Sequence, residues 1–169
     1  MTLNEYKDFV KGKNVSVIGV GVSNMPLIRF LTGLGARVTA RDKKERESLG
    51  EKASELENMG VKLVLGEKYL DGISDDIIFK TPGMRPDNPY LLEAVKKGSV
   101  LTNEMELFFE LCPCRIFAVT GSDGKTTTTT LIYNILKHAG YTCHLGGNIG
   151  RPLIGDIEKI GKNDMAVLE

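Results

Sequence analysis

The run Thr120-Gly121-Ser122-Asp123-Gly124-Lys125-Thr126-Thr127 places glycines, a lysine and hydroxyls at the spacing needed to hold phosphates. Glycines let a loop turn successive backbone N–H groups inward around phosphate oxygens. A helix beginning at the lysine adds the partial positive charge of its N-terminus. In that arrangement Lys125 reaches the β- and γ-phosphates and the Thr126 hydroxyl ligates Mg²⁺, so the chemistry indicated is ATP binding. The general phosphate-loop pattern has glycine where this chain has Val119. Without a ligand the same residues would make a glycine turn with Ser122 or Asp123 capping a helix. The apolar run before the loop and the helical pattern after it favour the phosphate reading. Glu169 follows the apolar run Met165-Ala-Val-Leu168. A carboxylate at the carboxyl end of a strand beside a phosphate loop is a natural Mg²⁺ ligand.

A second glycine turn, Gly19-Val-Gly21, follows the β-branched run Val15–Ile18, and Asp42 lies about 20 residues on. That spacing suggests a dinucleotide fingerprint with a ribose-binding acid, but its third glycine is replaced by Asn24. Asp42 is alternatively a solvated strand end. Thr81-Pro82-Gly83 reads as a turn after a buried strand, with or without a ligand beside it. Asn148 is either a turn residue or a polar contact to a ligand.

The elements that must position these residues alternate. Strands are expected at Val15–Ile18, Arg37–Ala40, Val61–Leu65, Ile77–Phe79 and Val100–Leu101, and helices at Ser23–Leu34, Glu45–Met59 and Pro89–Lys97. In the second helix Leu49, Ala53, Leu56 and Met59 form one apolar stripe. A second series follows Cys112-Pro113-Cys114. It has a strand at Arg115–Thr120, a helix at Lys125–Ala139 with Leu131, Ile132, Ile135, Leu136 and Ala139 facing inward, and strands at Tyr141–His144 and Asp164–Leu168. This alternation predicts an α/β chain, a Rossmann-like doubly wound parallel sheet followed by the start of a P-loop ATPase α/β domain. The expected domains are residues 1–110 and 111–169. With about three strands, the second is expected to leave a sheet edge and apolar surface uncovered.

The 169 residues carry 22 Lys+Arg against 22 Asp+Glu, and 41% are hydrophobic. This is the composition of a globular chain without the clustered positive charge that nucleic acid or an anionic membrane would select. No run of about 18 apolar residues exists, and Asn4, Glu5, Lys7 and Asp8 stand where a signal peptide would be apolar. A cytoplasmic location is the expectation. Cys112, Cys114 and Cys143 are expected to be free thiols. A zinc site joining them with His144 is disfavoured by the Cys-x-Cys spacing.

The compact form Thr120-Gly-x-x-Gly-Lys-Thr126 resembles that of the Mur ligases. So do Gly19-Val-Gly-Val-Ser-Asn24, Lys80-Thr-Pro-Gly83, Asn103-Glu-Met-Glu-Leu-Phe108 and Gly146-Gly-Asn-Ile-Gly150, in the order and spacing of the family's D-glutamate-adding branch. The resemblance covers nearly the whole chain. It implies that the first domain holds the uridine diphosphate part of the substrate, with Val22 and Ser23 near uracil and diphosphate. Asp42 would hydrogen-bond the uracil ring and Lys43 and Lys44 would flank it. The family often has Arg in place of Lys44. Thr81, Pro82 and Gly83 would lie beside the diphosphate, Asn148 would donate to phosphate or sugar, and Glu169 would bind Mg²⁺.

The implied reaction uses ATP to phosphorylate the carboxylate of UDP-N-acetylmuramoyl-L-alanine. The amine of D-glutamate then attacks the acyl phosphate, in peptidoglycan precursor synthesis. In the family the amino-acid site and further residues around Mg²⁺ follow later in the chain, and the full-length protein is expected to be a monomer. Another amino-acid-adding Mur ligase, or a nucleotide-binding module alone, is the alternative. An NAD-dependent oxidoreductase is disfavoured by Asn24 and leaves Lys125-Thr126 unexplained.

Overall fold

The computed structural model describes residues 1–22, 24–85 and 87–169. They form two compact units, Asn4–Glu104, and Met105–Glu169 together with Met1–Leu3.

In the first unit five short strands, β1 (Asn14–Ile18), β2 (Arg37–Asp42), β3 (Lys62–Leu65), β4 (Ile77–Phe79) and β5 (Val100–Thr102), form a parallel sheet ordered β3-β2-β1-β4-β5. β1 is central because it is apolar on both faces. Val15, Val17 and Ile18 are buried, with Val38 and Ala40 on one neighbour and Ile77, Ile78 and Phe79 on the other. Helices α2 (Asn24–Gly33), α3 (Arg46–Leu49), α4 (Glu51–Asn58) and α5 (Pro89–Lys96) connect the strands. α5 starts where Asn88 accepts the Tyr90 N–H at 3.0 Å and Pro89 presets the first helical turn. An unanticipated helix, α1 (Leu3–Val10), buries Tyr6 and Val10, and Tyr6 stacks on Phe30 at 6.4 Å between ring centres.

The single helix expected over Glu45–Met59 is instead two. Gly50 takes φ +55°, which interrupts the helical path, while Leu49, Ala53 and Leu56 keep the buried stripe that the spacing implied. One feature of the core carries charge. Arg41 is 7% exposed, and its guanidinium reaches Ser16 Oγ at 2.8 Å, the Tyr69 carbonyl at 3.0 Å and Asp75 Oδ2 at 3.5 Å. Ser16 in turn donates to Asp75.

The second unit contains α6 (Glu104–Leu111, whose first residue belongs to the first unit), β6 (Arg115–Ala118), α7 (Lys125–His138), β7 (Cys143–Gly146), a 3-10 segment Ile154–Lys159 and β8 (Met165–Leu168). Its three strands are parallel in the order β6-β8-β7. Gly140 closes α7 at φ +90°. The Tyr141 N–H bonds the Leu136 carbonyl, so β7 begins two residues later than the sequence suggests.

The inward face expected of α7 is also corrected. Leu131 is 56% and Ile135 66% exposed, and Ala139 is exposed as well. Only Ile132 and Leu136 are half-buried, in line with Thr129, whose hydroxyl bonds the Lys125 carbonyl at 2.8 Å. A three-stranded sheet covers one stripe of the helix, and Thr129, Ile132 and Leu136 occupy it at spacings of three and four. Among the described residues no helix is long and apolar enough to cross a membrane.

Candidate functional site

In a parallel sheet the residues that leave the carboxyl ends of neighbouring strands come together, and this is where α/β folds place ligands. Ala118 pairs with Leu168, and Leu168 with Gly146. The segments after β6, β8 and β7 therefore meet: the loop Thr120–Gly124, the carboxylate of Glu169, and Gly147-Asn148. The backbone ties them together through Val119 N–H to the Leu168 carbonyl at 2.8 Å, Glu169 N–H to the Gly146 carbonyl at 3.1 Å, and Asn148 N–H to the Glu169 carbonyl at 3.2 Å. A Cβ on Gly147 would collide with the Glu169 backbone, and its φ of +92° disfavours any other residue.

Gly124, at φ +71°, precedes the first turn of α7 and offers no side-chain cap. The first N–H groups of this 14-residue helix thus point into the loop, the arrangement that attracts phosphate. Lys125 Nζ donates to the Ser122 carbonyl at 3.1 Å, across the loop. Thr126 Oγ1 donates to Glu169 Oε2 at 2.6 Å. Ser122, Asp123, Thr126 and Thr127 are exposed. A cleft of about 330 Å³ is lined by Thr120, Gly121, Lys125, Asn148 and Glu169, with Met105 and Phe109 as its apolar wall.

Thr126 and Glu169 offer two hard oxygen donors from the protein. Mg²⁺ suits such a pair, since it keeps several waters and takes phosphate oxygens as further ligands. Among the described residues no group of three or more His, Cys, Asp or Glu is placed to hold a metal. His144 Nε2 is engaged by Asp164 Oδ2 at 2.8 Å, before β8 and away from the phosphate loop. That hydrogen bond, with another from the Gly161 N–H, holds the Asp164 carboxyl below the usual carboxylate range.

The first unit gathers a second set by the same rule. Its order β3-β2-β1-β4-β5 reverses direction between β1 and β4, the switch point at which such sheets bind ligands. Gly19-Val-Gly-Val22 leaves β1 there and Lys80-Thr-Pro-Gly83 leaves β4. A Cβ on Gly19 would lie 2.5 Å from Thr81 Cγ2, so the glycine is what lets the two turns meet. Asp42, half-exposed at the end of β2, accepts the Val20 N–H on Oδ2 at 2.6 Å and the Lys44 N–H on Oδ1 at 2.9 Å. It clasps the glycine turn to the end of β2. Val22 is 77% exposed, Lys43, Lys44, Pro82 and Gly83 are exposed, and Thr81 is half-buried. Ser23 lies outside the described residues. A larger recess, about 430 Å³, opens at the amino ends of β1 to β3 and brings none of these residues together.

Three contributions escaped the sequence reading. Asn24, which breaks the dinucleotide fingerprint, is buried, and its Nδ2 donates to the carbonyls of Ile18 at 3.0 Å and Gly19 at 2.9 Å. It seals the turn that a third glycine would leave open. Met105 and Phe109 wall the phosphate-loop cleft. Their spacing of four on α6 was the available signal.

Residues 119–166 match a family model described as the Mur ligase middle domain. The UDP-N-acetylmuramoylalanine--D-glutamate ligase of Clostridium novyi (strain NT) is 56% identical over 169 residues, which is 99% of this chain and 37% of that protein. The protein of the same name from Clostridium tetani (strain Massachusetts / E88) is 55% identical over 167 residues, 98% of this chain and 36% of the relative. This chain therefore spans little more than a third of the length of the curated relatives it matches. Among solved structures, a murein peptide ligase of Psychrobacter arcticus 273-4 superposes with a TM-score of 0.52 at 21% identity, over 93% of this chain and 37% of that one. A pseudomurein peptide ligase type C of Methanothermus fervidus gives 0.51 at 25% identity, over 93% and 33%.

Proposed function

We propose that this chain, a member of the Mur ligase family, is the front part of an ATP-dependent ligase that adds D-glutamate to UDP-N-acetylmuramoyl-L-alanine. The observation that carries this reading is the meeting of the Thr120–Thr127 loop with Glu169 and Asn148 at the carboxyl end of one sheet, in a chain 56% identical to ligases of that name. Residues 1–110 would bind the UDP-sugar and residues 111–169 the ATP phosphates. The rest of the ATP site and the D-glutamate site would come from sequence equivalent to the remainder of the relatives. The reaction belongs to peptidoglycan precursor synthesis in the cytoplasm, and the full-length enzyme works as a monomer.

ATP supplies the phosphoryl group that activates the substrate carboxylate, and Mg²⁺ neutralises charge on the phosphates. The work of this chain's residues is positioning and charge stabilisation, as phosphoryl transfer requires. The N–H groups of the loop and of the first turn of α7 hold phosphate oxygens. Lys125 leaves the Ser122 carbonyl to neutralise the transferring group. Thr126 and Glu169 would hold Mg²⁺ through their oxygens. In the second unit Asn148 contacts the substrate phosphate or sugar. In the first unit Thr81, Pro82 and Gly83 lie beside the diphosphate. Val22, Ser23, Asp42, Lys43 and Lys44 hold the uridine. Each Asp42 oxygen already accepts one backbone N–H and retains a lone pair for a ring N–H.

The uridine assignment is tested by thermal unfolding of the 169-residue chain with UDP or NAD. A ligand that binds only the folded state stabilises by RT ln(1 + [L]/Kd), about 2.7 kcal/mol at a hundredfold excess over Kd. UDP should raise the melting temperature and NAD should not. Equal shifts from the two would refute a uridine site.

A further inference from the structure

Cys112 and Cys114 flank Pro113 between α6 and β6, and their sulfur atoms lie 3.5 Å apart as free thiols. The geometry has a local cause. A residue before proline is pushed out of the helical region, and Pro113 has no N–H to continue the helix. α6 therefore ends at Leu111, with a last bond from the Cys112 N–H to the Phe108 carbonyl at 2.9 Å. The chain turns into β6 at Arg115, and the Cys112 side chain folds over Cys114, its sulfur also 3.9 Å from the Cys114 carbonyl oxygen.

The two thiols differ in surroundings. Cys112 is half-exposed and open to a reagent, whereas Cys114 is buried at 9% exposure. Burial, and then the hydrogen bond with Cys112, push the Cys114 thiol up to about 12. A small reagent from solvent therefore meets Cys112 first. The third cysteine, Cys143, is placed apart on β7 with its sulfur 3.5 Å from the Tyr141 carbonyl oxygen.

We propose that Cys112 and Cys114 form a reversible dithiol–disulfide site, at which Cys112 reacts with a low-molecular-weight disulfide and Cys114 resolves the product. The Cys112 thiolate attacks one sulfur of the reagent, whose S–S bond breaks and whose other half leaves as a thiol after taking a proton. The Cys114 sulfur, giving its proton to water, then attacks the Cys112 sulfur and expels the second half of the reagent as thiol. Two protein thiols are oxidised and one reagent disulfide is reduced to two thiols. Proximity offsets the small thiolate fraction of Cys114, because the attacking atom is already in van der Waals contact with its target. The sulfurs must close from 3.5 Å to about 2.05 Å, a movement within reach of side-chain rotation. The bond would pin the entry to β6, the strand that delivers the phosphate loop. This inference does not depend on which nucleotide either unit binds.

The test incubates the 169-residue chain with excess oxidised glutathione, alkylates remaining thiols after denaturation, and maps tryptic peptides by mass. Cys112 and Cys114 share the peptide Gly98–Arg115, and Cys143 falls in His138–Lys159. Gly98–Arg115 should lose about 2 Da, the mass of two hydrogens, refuse the alkylating group, and regain both thiols on reduction. In Cys114→Ser, Cys112 should accumulate a glutathione mixed disulfide that the unaltered chain does not hold. In Cys112→Ser, Cys114 should stay unmodified over the same time. Two alkylatable thiols in the unaltered Gly98–Arg115, a persistent glutathione adduct there, or a cross-link from either cysteine to Cys143 would overturn the proposal.

Discussion

Thr126 Oγ1 and Glu169 Oε2 stand 2.6 Å apart across 43 residues of sequence. The pairing of β6 with β8 enforces this, because Ala118 opposite Leu168 sets the glycine loop after β6 beside the residue that follows β8. Glu169→Gln keeps a hydrogen-bonding partner for Thr126 and should leave the melting temperature nearly unchanged. It should weaken Mg²⁺-dependent ATP binding by at least about 10- to 100-fold, the loss already usual for a residue that only orients a metal ligand. Titration of ATP with and without Mg²⁺ checks this, and an unaltered Mg²⁺ dependence would remove Glu169 from the metal site.

Gly147 is where the site's geometry meets stability. Gly147→Ala forces a Cβ into the Glu169 backbone at φ +92°, and should cost more than about 3 kcal/mol by combining clash with backbone strain. Gly140→Ala, at a similar φ of +90° but with open space around it, should cost only about 1–2 kcal/mol. Urea unfolding of the two variants separates steric from conformational cost. Equal losses would contradict the close approach.

The buried Arg41 makes a different demand. Removing its guanidinium leaves the Asp75 carboxylate with the Ser16 hydroxyl but without its countercharge, so Arg41→Ala should cost about 3–5 kcal/mol. Adding Asp75→Asn should recover part of that loss, because the stranded carboxylate is then gone. A double-mutant cycle in urea measures the coupling, and strict additivity would show that the pair does not interact.

The Asp164 carboxyl is depressed chiefly by its hydrogen bond with His144, then by the Gly161 N–H. A carboxyl with a lowered folded pKa stabilises the fold above its unfolded value of about 3.9, and that contribution disappears as pH falls through the folded value. Melting temperature should therefore drop as pH falls below about 4, and Asp164→Asn should make the drop shallower. Identical slopes would show that other carboxylates set the acid limit.

Strands and helices were legible where apolar spacing was unambiguous, as in β1, β4 and the stripe Leu49-Ala53-Leu56. The glycine turn between β6 and α7 was legible because its glycines, lysine and threonine are contiguous. What escaped depends on three-dimensional partners. Asn24 counted as a defect in a glycine pattern, yet it satisfies two strand-end carbonyls. Arg41 sits in a run that reads as a half-exposed strand end, and only the positions of Ser16 and Asp75 explain its burial. The face of α7 was misjudged because apolar residues lie on two sides of that helix, and sequence alone does not tell which side meets the sheet. Gly50 interrupts a helix whose stripe continues across the break.

The most direct measurement is phosphate release by the full-length protein that carries this chain, with ATP, Mg²⁺ and UDP-N-acetylmuramoyl-L-alanine, as the amino acid is varied. Release should require D-glutamate, and Lys125→Ala should lower kcat by about 10²–10³ or more, the usual loss when a group stabilising transition-state charge is removed. Release that proceeds with another amino acid and not with D-glutamate, or that survives Lys125→Ala, would contradict the assignment.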